Sequence, residues 1–191
     1  MLKDIKIGIA LTGSFCTINE IIGEIENIKD MGAVITPIVS EHVKTMDTRF
    51  GKANDTIKKL EEISENHVIS SIQEAEQIGP KKMFDIMLIA PCTGNTMAKL
   101  ANSVIDTTVT MAAKAHLRNQ RPLVLSMATN DGLGNSAVNI GKLISLKNIY
   151  LVPFGQDNYE KKPNSLVAKS NLIVNTLEEA LNGNQIQPIL Q

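Results

Sequence analysis

Residues 91–96, Pro-Cys-Thr-Gly-Asn-Thr, combine side chains that could bind an anion. The apolar run 86–90 precedes them and predicts a buried parallel strand whose pairing stops at the proline. A helical pattern at 96–102 follows directly. The loop should therefore present free N–H groups, hydroxyls and an amide at a helix N-terminus, which favours a phosphate. The plainer alternative is a helix cap by Thr93 or Asn95.

A second loop at 12–16 follows the apolar run 5–11 and leads into another helical pattern. Gly13 permits a tight turn, and Ser14 offers a hydroxyl beside the positive end of the helix. This loop could bind a phosphate, or it could be an ordinary turn from strand to helix. It matches neither the dinucleotide pattern G-x-G-x-x-G nor the ATP-binding pattern G-x-x-x-x-G-K-S/T, which argues against NAD or ATP here.

A third segment suggests a rival nicotinamide site. Gly132, Gly134 and Ala137 have dinucleotide spacing between a predicted strand and helix, and Asp157 follows twenty residues after Ala137. The predicted strand ends near Met127, however, five residues before the first glycine. That turn is longer than the tight crossover of a dinucleotide site, which weakens this alternative.

Strands and helices alternate along the whole chain and should position these loops. The predicted strands are 5–11, 33–39, 85–90, 122–128 and 149–153, and the main helices are 17–31, 56–65, 96–102, 106–119 and 136–146. Thr17 and Glu20 have capping-box spacing, whereas 166–180 is ambiguous between helices and a short strand. The alternation predicts one three-layer, doubly wound α/β domain over 1–191, with a mostly parallel, Rossmann-like sheet. The loops 12–16, 40–42, 91–96 and 128–135 should meet at one sheet edge.

The composition excludes several classes of function. A net charge of −1, 3% aromatic residues and no Trp argue against nucleic-acid binding. Charges in the first apolar run and the absence of a long apolar stretch argue against a signal peptide or a membrane span. Cys16 and Cys92 stand far apart, and the three histidines lack ligand spacing, which predicts a cytoplasmic chain with reduced thiols and no metal. Cys92 could still be a reactive thiol at a helix end, or simply a small packed residue.

Together these loops resemble the flavoprotein family that includes phosphopantothenoylcysteine and lantibiotic-peptide cysteine decarboxylases and the prenyl-flavin-making enzymes. The similar stretches are 11–14, 39–41 and 90–99, the last of which is similar to the family's Pro-Ala-Ser-Ala-Asn-Thr loop. The resemblance spans residues 5–155 and implies a trimer-based homo-oligomer with bound flavin mononucleotide (FMN). The implied FMN-binding residues are Thr12, Gly13, Ser14, Phe15, Ser40, Pro91, Cys92, Thr93 and Asn95, and the implied substrate-binding residues are Asn95 and Asn130.

Two departures from the family leave the catalytic residues unassigned. Gln77 stands where the decarboxylases carry a catalytic histidine, and glutamine cannot exchange a proton near neutral pH. Thr129 and Leu133 replace the methionines of the family's Met-Asn-x-x-Met element. Residues 13–17 and 127–137 are more similar to small subunits of two-subunit dehydrogenases, which implies a larger partner with an NADP site and a small dicarboxylate substrate. The alternatives are a stand-alone cysteine decarboxylase and a non-catalytic scaffold subunit with a vestigial flavin site.

Overall fold

A computed structural model describes residues 2–191 and contains a seven-stranded sheet between two layers of helices. The strands are β1 Lys6–Leu11, β2 Val34–Val39, β3 Ile86–Thr93, β4 Leu123–Thr129, β5 Ile149–Leu151, β6 Phe154–Asn158 and β7 Lys162–Ala168. The helices are α1 Ile18–Asp30, α2 Glu41–Thr45, α3 Ala53–Ser64, α4 Ile72–Glu76, α5 Ile78–Lys81, α6 Gly94–Ala101, α7 Thr108–Leu117, α8 Ala137–Ile144 and α9 Ile173–Leu181.

The sheet has the order β2-β1-β3-β4-β7-β6, with β5 paired to the first half of β4. Strands β1 to β5 pair in parallel, whereas β7 is antiparallel to β4 and β6. Helices α1, α3 and α9 pack together on one side, and α4 to α8 pack on the other. The central strands are mostly apolar because both of their faces are covered. The predicted three-layer, mostly parallel α/β fold is confirmed.

The strand before the anion-binding loop does not end at the proline. Pairing between β3 and β4 continues to Thr93, with a shift in register between Ile89 and Cys92 that places one extra residue on β3. A bulge of this kind accommodates Pro91, which has no N–H to donate to the ladder. The prediction that pairing stops at Pro91 is therefore wrong, and α6 begins at Gly94, two residues earlier than predicted.

The predicted capping box at the start of α1 is also wrong. A short 3-10 turn, Phe15–Thr17, precedes α1, and the Thr17 hydroxyl donates to the Ser14 carbonyl at 2.9 Å. Glu20 accepts a hydrogen bond from the Ser170 hydroxyl in the turn before α9, so it does not reach back to its own helix end. This long-range partner outcompetes the local cap that the spacing suggested.

The antiparallel pair β6–β7 was not predicted. Most residues of its outer half, 156–164, are exposed and polar, so the sequence shows no alternation of buried and exposed positions there. The inner end of β7 joins the sheet next to Ala128 and Thr129, at the end of β4. Among the helices of residues 2–191, none has both the length and the apolar character needed to span a bilayer.

Candidate functional site

The ends of β1, β3 and β4 border an open cleft of about 380 Å³. Its lining consists of small or polar residues from three loops: Gly13, Ser14, Thr93, Gly94, Asn95, Ala128, Thr129, Asn130, Asp131 and Ser136. The predicted loops 12–16, 91–96 and 128–135 therefore do meet at one sheet edge. Five of the predicted site residues, Gly13, Ser14, Thr93, Asn95 and Asn130, lie around this one cleft.

Backbone N–H groups at the cleft are free to bind a ligand. The N–H groups of Gly13, Gly94 and Asn95, which line the cleft, make no hydrogen bond within residues 2–191, and neither does that of Phe15 next to it in the chain. Gly94 and Asn95 open α6, whose first N–H groups have no partner inside the helix. The next one, that of Thr96, is capped by the Thr93 hydroxyl at 3.3 Å. The cleft thus combines unpaired donors with the positive end of a helix dipole, an arrangement that suits an anion.

Thr12 connects the first two loops. Its side chain is only 2% exposed, and its hydroxyl donates to the Pro91 carbonyl at 2.6 Å. The same oxygen accepts the N–H of Thr93 at 3.0 Å. Both bonding roles of the hydroxyl are therefore used inside the protein. Thr12 fixes the bend in β3 and so sets where Thr93 stands, while Pro91 and Cys92 are buried behind the cleft wall.

Gly94 is a site residue that sequence reasoning missed. A Cβ at this position would lie 2.6 Å from Thr129 Oγ1 and 3.5 Å from Ser136 Oγ. The absence of a side chain is thus what allows the end of β4 to approach α6. The available signal was a glycine directly after a buried strand, since glycine at such a point often marks close backbone approach.

Asp131 holds the loop 129–136 together by hydrogen bonds, and it is a second site residue that sequence reasoning missed. The Asp131 carboxylate accepts hydrogen bonds from the Ser136 N–H at 3.2 Å and the Ser136 hydroxyl at 3.4 Å. The Asp131 N–H donates to Thr129 Oγ1 at 3.2 Å. These bonds hold the third wall of the cleft, and they leave the neighbouring Asn130 side chain exposed at its rim.

The glycine pattern of the rival nicotinamide site has a packing explanation. A Cβ on Gly132 would lie 2.6 Å from the Leu166 side chain, and one on Gly134 would lie 2.0 Å from Asp131 Oδ1. Asp157, the proposed ribose partner in that alternative, pairs with Lys162 at 2.8 Å. Each element of the pattern thus serves the folding of the loop or of the β6–β7 pair.

The loop after β2 supports the cleft from outside. Ser40, predicted as a cofactor contact, does not line the cleft; it is 8% exposed, and its hydroxyl caps α2 by accepting the Val43 N–H at 3.4 Å. The adjacent Glu41 carboxylate accepts the N–H and the hydroxyl of Thr108 at the start of α7. His42 lies next to Gly13: a Cβ built on the glycine would stand 3.6 Å from the His42 Cβ.

The remaining candidate residues are packed in the protein or lie outside the cleft. Cys92 is fully buried, and burial raises the pKa of its thiol, so it is a packed residue and not a nucleophile. Burial lowers the pKa of His116, whose Nε2 lies 2.9 Å from the Pro122 carbonyl. Phe15 packs against the core beside the cleft, and Gln77 is exposed between α4 and α5, outside the cleft lining.

Comparison with known proteins shows which family the chain belongs to. The model of the family described as Flavoprotein matches residues 1–179. This chain belongs to the flavoprotein family. The match covers all three loops of the cleft, and the family resemblance inferred from those loops is confirmed.

Two relatives of this flavoprotein cover nearly the whole chain, and both are the dipicolinate synthase subunit designated B. The one from Bacillus subtilis strain 168 is 49% identical over 189 residues, covering 99% of this chain and 94% of the relative. The crystal structure of the one from Bacillus halodurans C is 45% identical, with a TM-score of 0.92 and coverage of 100% and 97%.

A more distant solved structure shares the fold alone. It is a dodecameric FMN-dependent UbiX-like decarboxylase from Escherichia coli O157:H7, 21% identical to this flavoprotein. Its TM-score is 0.62, and the match covers 78% of this chain and 80% of that one. The doubly wound sheet is therefore common to relatives with little sequence similarity.

Proposed function

We propose that this flavoprotein is the small subunit of a dipicolinate synthase, which oxidises dihydrodipicolinate to dipicolinate during sporulation. The observation that carries the proposal is the similarity of nearly the whole chain to the corresponding subunits of two Bacillus species, at 49% and 45% identity. The reaction removes two electrons and two protons from a dihydropyridine ring. It is favourable because the product ring is aromatic, and it needs an electron acceptor.

Family membership and FMN-dependent structural relatives support a flavin cofactor, and the cleft residues fit its phosphate. The unpaired N–H groups of Gly13, Phe15 and Asn95 are suitable donors. The Ser14 hydroxyl makes a single long contact within residues 2–191, to Cys16 Sγ at 3.9 Å, and is available as another donor. We assign the phosphate end to Gly13–Phe15 and the ring end to Thr93 and Asn95. When bound, FMN supplies two-electron redox chemistry.

The two asparagines of the cleft are the proposed substrate contacts. Asn95 and Asn130 are both exposed on opposite walls, and their amides can donate hydrogen bonds to a carboxylate without adding charge. Thr12, Pro91 and Cys92 would act from behind, by fixing the wall against which the ligand lies. Ser40 would support the phosphate end through His42 and α2.

We propose that a second chain binds the electron acceptor. We propose that the larger synthase subunit carries NADP, because the glycine pattern at 132–137 of this chain serves loop packing. We also propose a trimer-based homo-oligomer, supported by the dodecameric fold relative, and a place in the cytoplasm of the mother cell. A stand-alone cysteine decarboxylase is disfavoured because Gln77 is exposed and lies away from the cleft.

Reconstitution with FMN and the larger subunit tests the proposal. The purified small subunit should quench flavin fluorescence on titration with FMN. Mixed with the larger subunit, NADP and dihydrodipicolinate, it should produce dipicolinate, measured by its ultraviolet absorbance, at a rate that neither subunit reaches alone. Absence of flavin uptake together with full activity of the pair would instead identify a scaffold subunit with a vestigial site.

Ser14→Asp is expected to weaken FMN binding at least tenfold. A carboxylate here would face the cofactor phosphate, and like charges a few ångströms apart repel by about 1–4 kcal/mol at the dielectric of water or of a protein surface. Folding should be almost unchanged because Ser14 is half-buried and aspartate suits the residue before a helical turn. Fluorescence titration measures the affinity, Ser14→Ala is the uncharged control, and equal affinity of the two variants would remove Ser14 from the phosphate site.

A further inference from the structure

A second concave surface lies at the other end of α6, away from the cleft. We call it the α6–α7 groove. It has a volume of about 380 Å³, and its walls are mostly apolar. The apolar side chains that line it are Leu100, Val104, Ile105, Leu117, Leu146 and Ile149.

The rim of the α6–α7 groove is cationic. Lys99, Lys114 and Arg118 line it, and Lys99 is paired with Asp106 at 2.7 Å. Lys114 and Arg118 are one turn apart at the C-terminal end of α7, and neither makes an ion pair within residues 2–191. The segment 99–147 has six Lys or Arg and two Asp, in a chain whose net charge is −1. The groove therefore complements an occupant that is both apolar and acidic.

The exposed apolar residues at the rim indicate that the groove binds a polypeptide and not a small ligand. Val104 is 42% exposed and Leu146 is 48% exposed, so apolar surface extends outward past the groove itself. A small-ligand site encloses most of its apolar lining, whereas open apolar surface framed by charge is typical of a protein contact. Symmetric docking of a second copy would bring Lys114 and Arg118 of both copies together. Like-charge repulsion disfavours that arrangement and favours an acidic partner.

Helix α6 connects the groove to the cleft. Its first residues, Gly94 and Asn95, line the cleft, and its later residues, Lys99 and Leu100, line the groove. Eight helical residues span about 12 Å, at 1.5 Å per residue. A polypeptide bound in the groove would therefore sit one short helix away from the proposed flavin site.

We infer that the α6–α7 groove docks an acidic amphipathic segment of the larger synthase subunit. This inference rests on the proposed function, because it names the partner that the function requires. Docking here brings the chain that carries the acceptor beside the cleft. The apolar face of the segment covers Val104 and Leu146, and its carboxylates pair with Lys114 and Arg118.

Affinity between the two purified subunits tests the inference. The double variant Lys114→Glu/Arg118→Glu should bind the larger subunit at least roughly tenfold more weakly, mainly through slower association. Val104→Ser/Leu146→Ser should bind more weakly through faster dissociation. Raising the NaCl concentration should weaken the wild-type complex and narrow its difference from the charge-reversed variant. Lys52→Glu/Lys58→Glu, with the same charge change at α3, is the matched control and should bind like wild type.

The outcomes separate the inference from the function on which it rests. If wild type binds the larger subunit and both groove variants bind as tightly as the α3 control, the groove assignment is wrong and the proposed function stands. If wild type does not bind at all, both fail. If the groove variants change only the mass of the isolated small subunit, the groove is a contact between copies, and the inference is overturned. Far-ultraviolet circular dichroism and urea unfolding of each variant verify its fold.

Discussion

Gly94→Ala is expected to reduce the affinity for FMN roughly 5- to 150-fold, because binding must restore a wall spacing that overpacking opposes by about 1–3 kcal/mol, and each 1.4 kcal/mol is a factor of ten in Kd. The added Cβ would stand 2.6 Å from Thr129 Oγ1. Rotating that hydroxyl away would break its bond with the Asp131 N–H and still leave Thr129 Cβ 3.3 Å from the new methyl. The strain is relieved only if α6 and the end of β4 move apart, which separates the two walls of the cleft. FMN titration measures the loss.

Gly23→Ala is the matched control for this change. Gly23 lies within α1, and nothing stands within 4 Å of a Cβ built on it. Because alanine is favoured over glycine inside a helix, this variant should be more stable by up to about 1 kcal/mol and bind FMN normally. Thr129→Ala combined with Gly94→Ala should recover part of the affinity, since it removes the nearer atom of the clash. Normal FMN affinity in Gly94→Ala alone would show that the close approach of α6 and β4 does not shape the site.

The success of the fold prediction has a local cause. The buried strands are continuous apolar runs, and α1 places Ile18, Ile21, Ile22, Ile25 and Ile28 at helical spacing toward the core. Such patterns are contained within a dozen neighbouring residues, so they are visible in one sequence. The meeting of three loops at one edge then follows from the parallel sheet, because parallel strands present their carboxyl ends together.

The features that the sequence did not reveal depend on distant partners. Glu20 bonds to Ser170, 150 residues away, in place of a local cap. The extra residue on β3 is defined by its register with β4, and β7 is a strand because it pairs with β6 and with the end of β4. Ser40 resembles a ligand contact by its place after a strand, yet its hydroxyl is used by the next helix. A single sequence contains no signal for such choices between partners.

Resemblance and geometry contribute differently to the site. The resemblance singled out Gly13, Ser14, Thr93, Asn95 and Asn130, all of which line the cleft. It could not separate residues that face a ligand from those that hold the wall, because both kinds recur in the same motif. Hydrogen bonding makes that separation: the Thr12 hydroxyl behind the wall has both of its bonds satisfied inside the protein, whereas the N–H groups of Gly13, Gly94 and Asn95 in front are unpaired within residues 2–191.

Thr12→Val tests the wall directly and is expected to destabilise the protein by about 1–3 kcal/mol. Valine has nearly the same shape but lacks the hydroxyl, so the half-buried Thr93 N–H loses its partner, while the Pro91 carbonyl keeps the bond from the Thr12 N–H at 3.3 Å. Each buried group left without a partner costs about 1–3 kcal/mol. For a chain of this length each kcal/mol lowers the Tm by about 2–4 °C. Urea unfolding at constant m-value measures the change in the free energy of unfolding.

Thr12→Ser separates the hydroxyl from the packing. Serine keeps both hydrogen bonds and loses one buried methyl group, whose removal should cost no more than about 1.5 kcal/mol. We therefore expect Thr12→Ser to bind FMN like wild type and Thr12→Val to bind it more weakly, because Thr93 is no longer fixed at the end of β3. The same FMN affinity in both variants, with Thr12→Val destabilised, would confine Thr12 to folding. Selective loss of FMN affinity in Thr12→Val would show that one oxygen behind the wall sets the position of the groups in front of it.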